Sequence, residues 1–334
     1  MYFITTSGSP RERGRQHGEE LREAVGEAVA AWGASGPVPW AGQRVGHWLA
    51  ERQPETYAEL QGIAEGAALD FDAILHHTIA NSLAFVPQAC TTMVLRGPDQ
   101  RCVLAKTQDC GAVEARFQLV NEITDQTGRK AVVAGLVGAT WAIAGINEDG
   151  LAGGINSAPG VTDEPFFEGL PQHQALYPLL RSEQTVSGAL RSWLRTPLVG
   201  KGINGCLCDA LGEAITFERA GARYAVSQAS GSVHIENHFR DPGLQVHAAR
   251  PGSENSYARE AYLNEQVAGR WFDDPVAEAR RILADRTSPG CLNRALDETG
   301  AGTQSGYLAD PASRTLAVAD GAPGLVAWRT FQLG

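Results

Sequence analysis

The stretch Ala89-Cys90-Thr91-Thr92-Met93-Val94-Leu95 marks an abrupt change in the hydrophobic pattern of this chain. It is an apolar, β-rich segment, and the turn residues Gly97-Pro98-Asp99 follow it. A second apolar segment begins at Cys102 and runs into Lys106-Thr107-Gln108-Asp109. Two such segments joined by a short turn predict a β-hairpin. Its second strand would return a cation and a carboxylate to the level of Cys90.

A thiol beside a cation and a carboxylate is typical of an activated nucleophile. If the bond between Ala89 and Cys90 is cut, the new α-amino group becomes a built-in base, because its unperturbed pKa lies near neutrality. A buried structural cysteine is the alternative interpretation, since free cysteines are commonly buried. A redox-sensing thiol protein is a third, and it rests only on Cys90, Cys102 and Cys110.

The pattern on either side of Cys90 predicts the layers of the fold. Residues 8–85 have helical periodicity, beginning at Ser9-Pro10 with proline at the first helical position. Residues 90–156 alternate with period two between turn signals. Further helices are predicted at 171–194, 253–267 and 274–285, and further strands at 203–237 and 306–329. This order predicts an α+β layered sandwich, with a helical N-terminal segment at 1–89 and a catalytic domain at 90–334.

Composition excludes several classes of protein. The chain has 334 residues, a formal charge of −10 and a pI of about 5.3, so nucleic acid is a disfavoured partner. No apolar run approaches the roughly 18 residues of a membrane span, and the N-terminus lacks a basic, apolar leader, so we expect a cytoplasmic protein. Cys206 and Cys208 share one face of a predicted strand and are interpreted as small buried hydrophobes. We expect no metal or cofactor.

Several motifs occur together in one order. They are residues 8–18, residues 57–66, Cys90-Thr91-Thr92, Asp109 nineteen residues after the cysteine, Asn147-Glu148-Asp149-Gly150-Leu151 with Ile155-Asn156, residues 209–212 with Glu218, and Glu236-Asn237-His238-Phe239. Together they resemble the isopenicillin N acyltransferase family of N-terminal-nucleophile hydrolases. More distantly they resemble the choloylglycine hydrolase and penicillin V acylase branch. The resemblance extends from Gly8 to about Arg259.

The resemblance implies a four-layer αββα sandwich and a role for each matched residue. Cys90 would cleave the chain after Ala89 and then serve as the nucleophile. Asp109 would hold the new ammonium group. Asn237 would donate a side-chain N–H to the tetrahedral oxyanion, and Asn156 or its backbone N–H would be a second donor. The alternative for Asp109 is a turn or cap residue, and for each asparagine it is a strand-end turn.

Three positions depart from the relatives' pattern. Lys106 replaces the arginine of the choloylglycine branch; it keeps the positive charge but loses the bidentate fork, which argues against a bile-salt hydrolase. Ser256 corresponds to the serine of a Ser-Arg pair in some relatives. Arg259 lies three residues later, one helical turn away, so both are predicted to bind substrate. Ala89 replaces the usual glycine before the nucleophile.

The predicted function is therefore an autoprocessed N-terminal-cysteine amidohydrolase or acyltransferase that acts on a small-molecule amide through an acyl-cysteine intermediate. Water as acceptor gives hydrolysis; an amine acceptor with an acyl thioester donor gives acyl transfer. The alternative is a non-catalytic small-molecule binding protein on the same fold. Expected partners are the small-molecule substrate, the chain's own fragment 1–89 after cleavage, and further copies in a homo-oligomer, with no nucleic acid and no membrane.

Overall fold

Two β-sheets pack face to face between two layers of helices. The computed structural model describes residues 1–33, 39–83, 89–159, 168–200, 202–228 and 230–334. The larger sheet has eight strands, in the spatial order β1 (Tyr2–Gly8), β4 (Gln118–Asp125), β5 (Lys130–Leu136), β6 (Ala144–Asn147), β7 (Ala152–Ser157), β10 (Ile203–Cys208), β11 (Ala214–Ala220) and β12 (Arg223–Gln228).

The smaller sheet has six strands. Their spatial order is β13 (Val233–Ile235), β2 (Ala89–Arg96), β3 (Cys102–Cys110), β14 (Gly302–Asp310), β15 (Thr315–Asp320) and β16 (Trp328–Gln332). A separate pair joins β8 (Leu170–Pro171) and β9 (Leu198–Val199) in parallel.

The described helices lie before, between and after the strands. They are α1 (Pro10–Glu20), α2 (Arg22–Gly33), α3 (Pro39–Arg52), α4 (Pro54–Ala67), α5 (Phe71–Leu83), α6 (Ala112–Arg116), α7 (Leu176–Ser182), α8 (Val186–Arg195), α9 (Pro242–Gln245), α10 (Glu254–Gln266) and α11 (Pro275–Ala284). Within the described ranges, no helix is both long and apolar enough to cross a membrane.

Separate apolar cores define the layers. Between the sheets, Val94 and Leu104 of the smaller sheet share a buried cluster with Val132 of the larger one. On the outer face of the larger sheet, a second cluster contains buried residues of α2 to α5 together with residues of α7 and α8. On the outer face of the smaller sheet, a third cluster packs strand residues against α10 and α11. The order of layers is therefore αββα, and the predicted fold class is confirmed.

The N-terminal segment contributes more than helices to this sandwich. Residues 2–8 form β1, a strand that the sequence analysis did not predict, and β1 pairs in parallel with β4. The partner of β1 lies more than a hundred residues away in the chain, so local periodicity carries little sign of it. The division at residue 89 stays a prediction. Residues 84–85, predicted as the end of a helix, lie outside the described residues.

Glycines allow the first and fourth helices to touch through their backbones. A Cβ on Gly14 would lie 2.0 Å from the carbonyl oxygen of Glu59, and one on Gly62 would lie 2.2 Å from that of Arg11. Gly18 and Gly66 meet the opposite helix in the same way. The glycines of the motifs at residues 8–18 and 57–66 are therefore explained by helix packing. They let α1 and α4 approach closely over the larger sheet.

Candidate active site

The predicted hairpin is present, and its register determines which residues meet the cysteine. The strands β2 and β3 pair antiparallel, with Cys90 opposite Gln108, Ala89 opposite Asp109 and Thr92 opposite Lys106. A short turn over Pro98–Gln100 joins them. Since side chains alternate along a strand, Gln108 shares the face of Cys90, and Asp109 lies on the other face.

The face that carries Cys90 points toward the larger sheet. The Cys90 thiol donates a hydrogen bond to Gln108 Oε1 at 3.2 Å. Thr92 Oγ1 and Lys106 Nζ both donate to Asn156 Oδ1 on β7, at 2.9 and 3.1 Å. A Cβ on Gly154 would lie 2.9 Å from Thr92 Cγ2, so glycine is what allows the two sheets to approach here. The nucleophile candidate thus lies between the sheets.

Asp109 lies at the level of the Ala89–Cys90 peptide on the outer face of the smaller sheet. Its carboxylate accepts hydrogen bonds from Thr303 Oγ1 at 2.7 Å and from Arg294 Nη1 at 3.4 Å. Burial raises the pKa of Asp109, and the positive charge of Arg259 opposes this increase. The aspartate is therefore positioned beside the backbone of the cysteine rather than beside its sulfur.

Asn237 meets the backbone nitrogen of Cys90. Its Oδ1 accepts the Cys90 N–H at 2.6 Å and a bond from Arg259 Nη2 at 2.9 Å. Its Nδ2 donates to the carbonyl oxygen of Ser157 at 2.7 Å. Three contacts hold this amide group, and its Nδ2 carries a second N–H. The side chain therefore lies beside the backbone nitrogen of Cys90, and its oxyanion role stays a prediction.

Helix α10 supplies two residues to this site, one turn apart. Ser256 Oγ accepts the backbone N–H of Asn237 at 3.0 Å. Arg259 is 1% exposed and donates to the carbonyl oxygen of Cys90 and to Thr91 Oγ1. Both residues therefore contact the proposed catalytic residues directly, and their role in substrate binding stays a prediction.

Asn156 joins the two sheets. Its Nδ2 donates to Asn204 Oδ1 and to the carbonyl oxygen of Ile235, each at 3.1 Å. Its Oδ1 accepts from Thr92 and Lys106, as described above. Both side-chain N–H groups are thus engaged, so an oxyanion role for Asn156 would fall to its backbone N–H. That role stays a prediction.

Burial and several neighbouring charges set the electrostatic environment of Cys90. Cys90 is 1% exposed, and burial raises the pKa of its thiol; the charge of Lys106 opposes that increase. Burial also lowers the pKa of the Lys106 ammonium group, and the nearby Cys90 works against this decrease. Burial therefore favours the neutral form of each group, and the mutual attraction of the two charges favours the ion pair.

Several residues of this site have no role predicted from the sequence. They are Gln108, Glu114, Ser157, Arg294 and Thr303. Gln108 Nε2 donates to Glu114 Oε1 at 3.5 Å, which continues the contact from the Cys90 thiol. The hairpin register could have identified Gln108, because a turn over residues 98–100 pairs it with Cys90. Nothing local in the sequence indicates the others.

A cluster of charged residues includes the two sequence neighbours of Asn237, which are Glu236 and His238. Glu236, His238 and Glu260 present ligand-type atoms within 4.8 Å of one another. The guanidinium group of Arg240 pairs with Glu236 at 2.7 Å and with Glu260 at 3.2 Å. Burial disfavours the charged form of Glu236, but the hydrogen bond from His234 and the charge of Arg240 more than offset it and hold its pKa at about 2. Arg240 supplies a cation to this cluster, which forms an ion-pair network.

The fold defines a class: an αββα sandwich of the kind predicted for N-terminal-nucleophile hydrolases, with a buried cysteine on the first strand of the smaller sheet. Neither the family models nor the curated proteins contain a match to this chain.

Solved structures similar to the chain include three proteins. The Caenorhabditis elegans N-acylethanolamine-hydrolyzing acid amidase ortholog is 10% identical, with 67% of this chain and 93% of that chain covered and a TM-score of 0.48. A mutant of the conjugated bile acid hydrolase from Clostridium perfringens is 11% identical, with coverages of 73% and 92% and a TM-score of 0.45. The Agrobacterium tumefaciens penicillin V acylase is 14% identical, with coverages of 73% and 86% and a TM-score of 0.47. Similarity at this level says nothing about substrate.

Proposed function

We propose that this protein is an autoprocessed N-terminal-cysteine amidohydrolase or acyltransferase that acts on a small-molecule amide through an acyl-cysteine intermediate. One observation carries the proposal: the backbone nitrogen of Cys90, which would become the free amine, donates to Asn237 Oδ1 at 2.6 Å. The same asparagine is bound by Arg259 and by the backbone of Ser157. The Asn237 amide group is held by three contacts close to the backbone nitrogen of Cys90, the residue that carries the thiol. Such a preorganised hydrogen-bonding group is suited to acyl transfer.

In the proposed processing step, the Cys90 sulfur attacks the carbonyl carbon of Ala89. The new C–S bond replaces the C–N bond, and the thiol proton is transferred to the departing Cys90 nitrogen. Water then hydrolyses the thioester, which releases the Ala89 carboxylate and restores the thiol. The product carries a free α-amine at Cys90, and Asp109 lies opposite Ala89, where it can hold the ammonium form.

In the proposed turnover step, the α-amine accepts the thiol proton while sulfur attacks the substrate carbonyl. Asn237 would donate its second side-chain N–H to the oxyanion, a contribution of about 3–4 kcal/mol in comparable acyl transfers. Lys106 would stabilise the thiolate, and Arg259 with Ser256 would hold Asn237 in place. The amine leaving group departs with the proton taken from the thiol, and water or an acceptor amine then attacks the acyl-cysteine.

The experiment is turnover and trapping on the processed protein. A panel of small amides and acyl thioesters is incubated with the wild type, and intact mass under denaturing conditions reports an acyl group added to the fragment that starts at Cys90. Hydroxylamine traps an acyl-cysteine as a hydroxamate and so tests for the intermediate, while the product formed with an acceptor amine present separates acyl transfer from hydrolysis. Cys291→Ala, which removes a partly exposed cysteine elsewhere, is the matched control and should retain the adduct.

The alternative function, that of a non-catalytic binding protein, predicts different results. Its ligands would bind with a measurable heat, no acyl adduct would form, and Cys90→Ala would bind as well as the wild type. If processed protein binds amides but does not turn them over, the protein is a binding protein and the proposed enzyme function is wrong.

A further inference from the structure

His238 follows Asn237 and belongs to a chain of hydrogen bonds that the proposed mechanism leaves unexplained. Its ring is 3% exposed. One ring nitrogen, Nδ1, lies 2.8 Å from Ser256 Oγ, and the other, Nε2, lies 3.1 Å from Glu260 Oε2. Ser256 Oγ in turn accepts the backbone N–H of Asn237 at 3.0 Å. A histidine thus connects to the proposed oxyanion residue through a single hydroxyl group.

The partners of the ring determine where its proton lies. An ionised carboxylate only accepts hydrogen bonds, so Nε2 carries the proton and donates it to Glu260. In the neutral ring Nδ1 is then an acceptor, and the hydroxyl hydrogen of Ser256 points to it. Ser256 Oγ thereby keeps a lone pair directed at the Asn237 N–H. Arg240 Nε lies 3.2 Å from Glu260 Oε1, and this ion pair holds the carboxylate beside the ring.

Protonation of His238 would reverse one bond in this chain. With a proton on Nδ1 the ring becomes a donor to Ser256, and the Ser256 hydrogen loses its acceptor in a fully buried place. The charged and titratable groups that face the ring are Glu236, Glu260, Arg240 and the Tyr257 ring at 4.6 Å. Burial, opposed by the two glutamates, leaves the pKa of His238 below its ordinary value, so the neutral form persists at neutral pH.

We propose that His238 is a positioning residue that acts through Ser256 to hold the backbone of Asn237 in the geometry for acyl transfer. This inference rests on the proposed function. The competing interpretation is a direct substrate contact, because His238 also lines a cavity of about 470 Å³ with Phe239, Pro159 and Tyr257. A positioning residue affects kcat and is coupled to Ser256. A substrate contact affects KM and is independent of Ser256.

A double-mutant cycle on turnover separates the two. We expect His238→Leu and Ser256→Ala each to lower kcat about tenfold with little change in KM, and the double variant to be no worse than either alone. His238→Asn, whose side-chain oxygen still accepts from Ser256, should retain more activity than His238→Leu, and it is the second variant if leucine prevents folding. His47→Leu, which replaces an exposed histidine on α3, is the control and should match the wild type.

The pH profile of kcat gives an independent readout. On the proposed function, protonation of the Cys90 α-amine would give one inactive form on the acid side of the wild-type profile. Below about pH 6.5 we expect a second protonation, that of His238, so that kcat falls more steeply as the pH decreases. This steeper fall should be absent in His238→Asn. Additive losses in the cycle, or a rise in KM at unchanged kcat, would overturn the positioning role. Wild-type protein without any Cys90-dependent turnover would instead count against the proposed function itself.

Discussion

Ala89 and Asp109 face each other across the antiparallel pairing of β2 and β3, one position before Cys90 meets Gln108. The carboxylate therefore lies beside the peptide bond that self-cleavage would break, while the thiol lies on the opposite face beside Lys106 and Gln108. A hairpin can thus present the nucleophilic sulfur to one side and the group that would bind its amine to the other.

We expect processing at the Ala89–Cys90 bond. Denatured wild-type protein should give two masses, for residues 1–89 and 90–334, whereas Cys90→Ala should give one uncut chain because no sulfur is available to attack. Intact mass spectrometry measures this directly. Full-length protein alone, in a preparation that cleaves amides, would contradict the prediction, since no free α-amine would then exist.

Replacing Asp109 by asparagine should slow both processing and turnover. The amide keeps the size and the bond from Thr303 Oγ1 but removes the charge that would hold the Cys90 ammonium. Rates of fragment appearance and kcat are the measurements, and the melting temperature should change little. Thr303→Val is the matched control, because it removes a hydrogen bond from Asp109 and leaves its charge. A normal kcat in processed Asp109→Asn protein would contradict this prediction and would show that the role of Asp109 is structural.

Asn237→Ala should lower kcat about 10²–10³-fold with KM little changed, since the side-chain amide would act in the transition state. Asn237→Asp should be at least as harmful, because an oxygen would replace the Nδ2 that donates to the Ser157 carbonyl. Asn255→Ala, which removes a different acceptor of Arg259, is the control and should cause a much smaller decrease. Wild-type kcat in the aspartate variant would end the oxyanion role.

A buried ion pair should hold the two fragments together after cleavage. Glu59 of α4 accepts from Arg13 at 2.9 Å within the N-terminal segment, and from Arg181 at 3.3 Å and from Tyr177 of α7 beyond the cleavage point. Glu59→Gln leaves buried arginine charge uncompensated, so we expect a loss of about 3–5 kcal/mol of unfolding free energy.

Urea unfolding and gel filtration of the processed protein would measure that loss, with the fragments separating at a lower urea concentration in the variant. Glu19→Gln serves as the comparison, because it breaks the exposed pair with Arg15 and should cost less than about 1 kcal/mol. Equal effects of the two substitutions would show that Glu59 does not hold the fragments together.

The sequence by itself determined the local elements. The turn at 97–99 between two apolar runs predicts the hairpin, and its strands appear as β2 and β3. Helix α1 begins at Pro10 as predicted, and a capping box between Ser9 and Glu12 stabilises its first turn. The region predicted as helical at 171–194 contains two helices, since Thr185 caps a new start at Val186. Periodicity and capping are readable because they involve residues a few positions apart.

Only the tertiary structure decided how the site is assembled. Asn237 reaches the Cys90 nitrogen across 147 positions of sequence, and Arg259 reaches the Cys90 carbonyl across 169. The parallel pairing of β1 and the engagement of both Asn156 N–H groups are likewise set by the packing of two sheets. Such contacts depend on register and on which face of a strand each side chain occupies. A shift of one residue would exchange Gln108 and Asp109 beside the thiol. Both faces of β2 and β3 are buried, so the polar contacts of Thr92 and Lys106 with Asn156 on the larger sheet are what distinguish the two registers.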